Sequence, residues 1–115
     1  MSTPYTDVLA AVTRQRGVLG CLLVSEADGI IVEANVQVGI EAGVAGALVA
    51  SLYRRARLGT DAAGLATVGF LQLEAEQGHV CAVGRDGLVL ATLAEPRAHI
   101  GLIRSAMLHA VEALP

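Results

Sequence analysis

The chain contains no Trp and no Lys, and its aromatic residues make up only 3% of 115 positions: Tyr5, Tyr53 and Phe70. So few rings cannot build the stacking platform that single-stranded nucleic acid requires. The absence of lysine excludes a Schiff-base nucleophile and the phosphate-gripping lysine of a Walker-type loop. The eight basic residues are all Arg and the formal net charge is -3, which argues against a phosphate-binding basic face. There are two cysteines, Cys21 and Cys81, each inside an apolar run. The first residues lack the basic n-region, apolar h-region and cleavage site of a secretory signal. The expectation is therefore two buried free thiols in a cytoplasmic protein. No uncharged apolar run reaches the ~18 residues of a membrane span, residues 42–53 coming closest.

What is present is apolar and small. Hydrophobic residues account for 54% and charged ones for 17%, which excludes disorder and provides for a large core. A chain of this length predicts one domain, 1–115.

Ser2 and Thr3 stand as caps before Pro4, and Tyr5, Val8, Leu9 and Val12 follow at helical spacing up to a stop at Gly17. Val18 to Ser25 reads as a strand, residues 26–29 as a turn with Gly29 at positive φ, and Ile30 to Asn35 as its hairpin partner. A helix is expected from Gly39 to Leu58, and a loop from Gly59 to Gly64. Three strands follow: Leu65 to Ala75, His79 to Val83 and Leu88 to Leu93. Gln77-Gly78 and Arg85-Asp86-Gly87 supply their turns. Pro96 opens a last helix with Ile100, Ile103, Met107, Ala110, Val111 and Leu114 on one face. Tight turns make the strand pairs antiparallel, so the order predicts an α+β sandwich, a five-stranded antiparallel sheet with helices on both faces.

The second helix carries two stripes. Ile40, Val44, Leu48 and Leu52 are large aliphatics of the kind that pack on a sheet. Across from them lie Ala42, Gly43, Gly46, Ala50 and Tyr53, small residues closed by one ring. Hardly any charge precedes Arg54, so the helix requires cover on both sides. The small stripe is accordingly expected to form a dimer interface.

No catalytic constellation assembles. His99 and His109 lie ten residues apart rather than at the i, i+4 spacing of a helical metal pair, and His79 follows a turn; all three read as surface or helix-edge residues. Asp28 and Asp86 each precede a turn glycine, where Asp bonds its own backbone. None of Ser2, Ser25, Ser51 or Ser105 lies in a nucleophile elbow, and no nucleotide-binding glycine motif occurs. The residues thus predict no enzyme, no cofactor and no metal. Arg54, Arg55 and Arg57 complement the dipole at the end of their helix, with partner docking as the second reading.

Val18-Leu19-Gly20-Cys21-Leu22-Leu23-Val24-Ser25, followed by Asp28-Gly29-Ile30-Ile31-Val32, resembles the opening hairpin of Roadblock (dynein light chain type) domains. Ala98-His99-Ile100-Gly101-Leu102-Ile103-Arg104, with Met107 a turn later, is similar to the family's closing pattern. The likeness runs from about Tyr5 to Glu112. It implies the Roadblock/profilin-like α-β-β-α-β-β-β-α order and dimers in which the second helix and third strand of each subunit pair. It also implies a role like that of bacterial gliding-motility regulators, which bind and activate a small Ras-like GTPase, or of eukaryotic scaffolds on dynein. Glu41, Arg54, Arg55 and Arg57, beside or at the end of the small stripe, are then the expected partner-binding residues. The family's strand order would put Cys21 and Cys81 on either side of the strand from Leu88, ~10 Å apart and beyond disulfide reach. The rival reading is a ligand-sensing domain of the PAS type, or a protein-interaction scaffold with no GTPase partner.

Overall fold

Uninterrupted apolar runs such as Cys21 to Val24 belong to strands covered on both faces. In the computed structural model, which describes residues 3–115, that is how β1 (Val18–Ser25) is placed. It lies inside a five-stranded antiparallel sheet of order β2-β1-β5-β4-β3, with β2 at Ile31–Val36, β3 at Leu71–Ala75, β4 at Gly78–Arg85 and β5 at Leu88–Ala94. The helices are α1 (Thr6–Thr13), α2 (Ala42–Ala62) and α3 (Ile100–Glu112). The element order and the antiparallel sheet are those expected.

Side chains alternate along the strands between two cores. Cys21, Leu23, Cys81, Val83 and Leu90 point to one face, where Val8, Leu9 and Val12 of α1 and Ile103, Met107, Ala110 and Val111 of α3 cover them. Leu22, Val24, Ala82, Val89 and Ala91 point to the other, where Val49, Ala50 and Tyr53 of α2 are buried. Cys21 and Cys81 both stand opposite Thr92 of β5, one on each side, and both are free. The separation expected from the strand order is present.

Element ends differ from expectation for local reasons. The first helix starts at Thr6, where Thr3 accepts through its carbonyl from the Thr6 amide; Ser2 lies outside the described residues. Gly59 does not end α2. The stop is Gly64 (φ 73), whose amide bonds the Asp61 carbonyl while the Leu65 amide reaches back to Thr60. That is a Schellman closure, and it needs a left-handed residue one step past the helix. Residues 65–70 are loop, pinned by Val68 to the α2-side core and by Phe70 to the other. Pro96 sits in a turn before α3, and the N-cap is His99, whose Nδ1 accepts from the Leu102 amide at 3.1 Å.

Candidate functional site

The small residues of α2 face inward, the reverse of the expected arrangement. A Cβ on Gly46 would lie 2.9 Å from Val24 Cγ1 and 3.2 Å from Ile31 Cγ1, so the helix backbone rests almost directly on the sheet. Ala50 and Tyr53 are buried against Ala82 and Ala91, and the Tyr53 ring occupies the space left by Gly84. The Tyr53 hydroxyl reaches the Val68 carbonyl at 3.4 Å, and burial pushes its pKa up. Of the five residues expected at a dimer interface, Gly46, Ala50 and Tyr53 are therefore spent on the chain's own sheet. Ala42 is half-buried, and only Gly43 is exposed, with open space around it. The reason is steric. Small side chains let the helix approach a sheet face that is itself rich in Ala, and the bulky stripe turns outward.

That outward stripe is the unusual surface. Val44 is 55% exposed and Leu48 66%, with Leu52 half-buried beside them and Leu58 55% exposed further on. Past the end of α2, Leu65 is 71% exposed, and Leu73 on the edge strand β3 is 43% exposed. An edge strand leaves one row of backbone donors and acceptors unpaired. Exposed aliphatic side chains one turn apart on a helix, as Val44 and Leu48 are, mark a protein-binding surface.

The arginines divide. Arg57 grips Glu26 with two bonds, Nε to Oε1 at 2.8 Å and Nη2 to Oε2 at 3.3 Å. Arg54 Nη1 donates to the carbonyls of Glu26 and Ala27 at 3.2 and 3.1 Å. Together they tie the β1–β2 turn to α2, where Gly29 (φ 72) lies so close that a Cβ would meet Ala47 Cα at 2.9 Å. Two of the four expected partner-binding residues thus have a job within the chain. Glu41 and Arg55 are exposed, and among the described residues neither forms an internal ion pair or side-chain hydrogen bond.

Comparison with known proteins places this geometry. No protein-family model matches the chain. An uncharacterized protein of Methanocaldococcus jannaschii, MJ1340, is 25% identical over 105 residues, covering 91% of each chain. The solved Roadblock/LC7 domain of Streptomyces avermitilis superposes with a TM-score of 0.83 at 20% identity, over 92% of this chain and 90% of its own. Gliding protein MglB of Thermus thermophilus gives 0.84 at 18% identity, over 99% and 90%. A further MglB, described in a tetrameric arrangement, gives 0.85 at 19%, over 99% and 89%. The chain has the Roadblock fold.

Within this Roadblock fold several other polar groups have roles in the chain's own structure. His79 is not a surface residue: it is 9% exposed on β4, its Nε2 is 3.1 Å from the Pro96 carbonyl, and its Nδ1 has no hydrogen-bond partner among the described residues. A carbonyl only accepts, so Nε2 carries the proton. Sequence reasoning missed this role because residue 79 directly follows a turn. Asp28 Oδ1 accepts from the Ile30 amide at 3.0 Å, as expected of a turn aspartate. Burial raises both thiols, Cys21 to about 12, which disfavours the thiolate form that a nucleophile uses. Among the described residues no cluster of three His, Cys, Asp or Glu could hold a metal, and no helix is long and apolar enough to cross a membrane. A cleft of 250 Å³ opens beside Tyr53, Arg57 and Arg85, and one of 400 Å³ lies between α1 and α3, lined by Arg14, Leu102 and His109.

Proposed function

We propose that the protein, acting as one Roadblock domain over residues 1–115, is a cytoplasmic homodimeric regulator or scaffold for a small Ras-like GTPase. It has no active site of its own. The observation that carries the reading is the apolar outer face of α2. A lone chain exposes Val44 and Leu48, whereas a second copy laid against them removes both from water. The resemblance of the opening hairpin and closing helix to Roadblock sequences, and the fold shared with gliding protein MglB, support the regulatory role.

A two-fold dimer presents a platform across its axis, while a GTPase monomer has no such symmetry. One GTPase lying over the axis would touch both subunits and exclude a second, giving two chains of this protein per GTPase. Docking that reads the switch loops follows the nucleotide, since those loops are ordered by the γ-phosphate. The test is a pull-down with a Ras-like GTPase from the same genome, loaded with GDP or with a non-hydrolysable GTP analogue. Retention of the analogue-loaded form alone is the expected result. Equal or absent retention across every such GTPase would leave the scaffold reading, in which the dimer serves other proteins. A PAS-type sensor is disfavoured because side chains fill both faces of the sheet.

A further inference from the structure

The groove between α1 and α3 gathers positive charge on a chain whose net charge is -3. Two clefts, of 260 and 400 Å³, meet along it and share Gln15 and Leu102 as lining residues. Arg16, Arg97 and His99 line the first and Arg14 and His109 the second, while Glu95 is the one acid in either. Asp7 and Glu112 belong to the same two helices but line neither cleft. The three arginines are also uncommitted. Arg54 is bonded to the β1–β2 turn, Arg57 to Glu26 and Arg85 to the Val111 carbonyl, and Arg104 lies 5.4 Å from the centre of the Phe70 ring. Arg14, Arg16 and Arg97 are exposed, and among the described residues none has an ion pair or a side-chain hydrogen bond. Beside them Leu102, 57% exposed, is the one exposed large aliphatic side chain on α1 or α3 among the described residues.

We propose that this groove docks an acidic amphipathic helix of a partner protein, with Asp or Glu side chains on Arg14, Arg16 and Arg97 and an aliphatic side chain on Leu102. Charge complementarity selects the partner: guanidinium groups take carboxylates with two parallel bonds. The cations are spread along the groove, Arg16 and Arg97 in one cleft and Arg14 in the other, which suits a row of carboxylates. A single phosphate calls for cations converging on one point. The clefts follow α3 from His99 to His109, about 15 Å, which is close to three turns of a partner helix. Both walls are helices, so an extended segment would find no strand edge for its backbone, whereas a helix bonds its own. A trough with Leu102 as its one aliphatic anchor is also a poor membrane surface. The groove lies on the face of the sheet opposite α2, so it serves a second partner while α2 is covered. The proposal therefore goes beyond the dimer and GTPase reading and does not depend on it.

Fluorescence anisotropy with two labelled peptides tests it. One is a helical peptide of about 14 residues with Glu along one face around a central Leu, and the other has Gln in place of each Glu. The acidic peptide should bind the wild type about tenfold or more tightly than the Gln peptide. Arg14→Gln combined with Arg97→Gln should weaken its binding by about tenfold or more. Leu102→Glu, which sets a carboxylate in the middle of the groove, should weaken it by a similar factor. Arg104→Gln removes a charge from α3 outside the groove and should change binding by less than about twofold. Circular dichroism checks that the variants fold, as expected of exposed residues. No binding of the acidic peptide up to about 1 mM, equal binding of both peptides, or a loss at Arg104→Gln as large as at the groove pair overturns the proposal. Vesicles of phosphatidylserine and phosphatidylcholine provide the last arm. If they retain the wild type but not the Arg14/Arg97 variant, while the peptide stays unbound, the groove belongs to a membrane and the proposal is overturned as well. Sedimentation reports the α2 dimer separately, so either reading can fail without the other.

Discussion

The two faces of the sheet are finished to different degrees. On one, α1 and α3 lie side by side and bury large residues, Leu9, Ile103 and Met107 among them, at 1% exposure or less. On the other, a single helix covers the sheet through Gly46, Val49, Ala50 and Tyr53, and leaves β3 uncovered at the edge. The first face is closed by the chain itself. The second is closed only in its centre, and its one helix exports Val44 and Leu48 to solvent. The contrast separates residues that keep the chain folded from residues that serve a partner, and substitutions on the two faces should fail in different ways.

The largest effect belongs to the two-helix face. Ile103→Ala should cost about 2–5 kcal/mol in denaturant unfolding, through a cavity the neighbours cannot fill. Next comes the close contact of α2 with the sheet. Gly46→Leu must displace Val24 and Ile31 and should destabilise the fold itself by about 1–3 kcal/mol, whereas Gly43→Ala, with open space around it, should be tolerated. If Gly46→Leu instead left unfolding unchanged and altered only association, the assignment of the two faces would be reversed.

Alkaline pH probes the buried thiols. Cys21 is raised from 9.0 to about 12, so its neutral form is the one the fold favours. Its contribution is complete below pH 9, where both states are protonated, and is lost as pH rises through 12. The loss proceeds at no more than about 1.4 kcal/mol per pH unit. Cys81 and Tyr53, also raised by burial, add to the same decline. Unfolding midpoints between about pH 8 and 11 measure it, and Cys21→Ala should flatten the slope. The smallest effect is Arg57→Ala, which removes a partly exposed ion pair and should cost less than about 1 kcal/mol by the same unfolding assay.

Most of the fold was legible because period-2 and period-3.6 patterns, turn glycines and apolar strand runs agree with one another. Val18–Ser25 and its turn at Gly29 emerge from such local signals, as does the strand from Leu88. The orientation of α2 was not legible. Both its stripes are apolar, so periodicity establishes that two faces need cover without saying which one the sheet takes. That choice depends on the facing side chains, Ala82, Ala91 and the gap at Gly84, which come together only in the folded sheet. The roles of Arg54 and Arg57 were hidden likewise, because Glu26 lies about thirty residues away in sequence. The capping by His99 escaped notice because His is not among the usual N-cap residues.

The central claim is that the bulky outward face of α2 serves a second copy while the small inward face serves the fold. Sedimentation equilibrium of the wild type and of Leu48→Asp, at micromolar concentration, tests it most directly. The account predicts two chains per particle for the wild type and one for the variant, with the variant's circular dichroism still that of a folded chain. Equal particle masses for the two proteins, whether both monomeric or both dimeric, would contradict it.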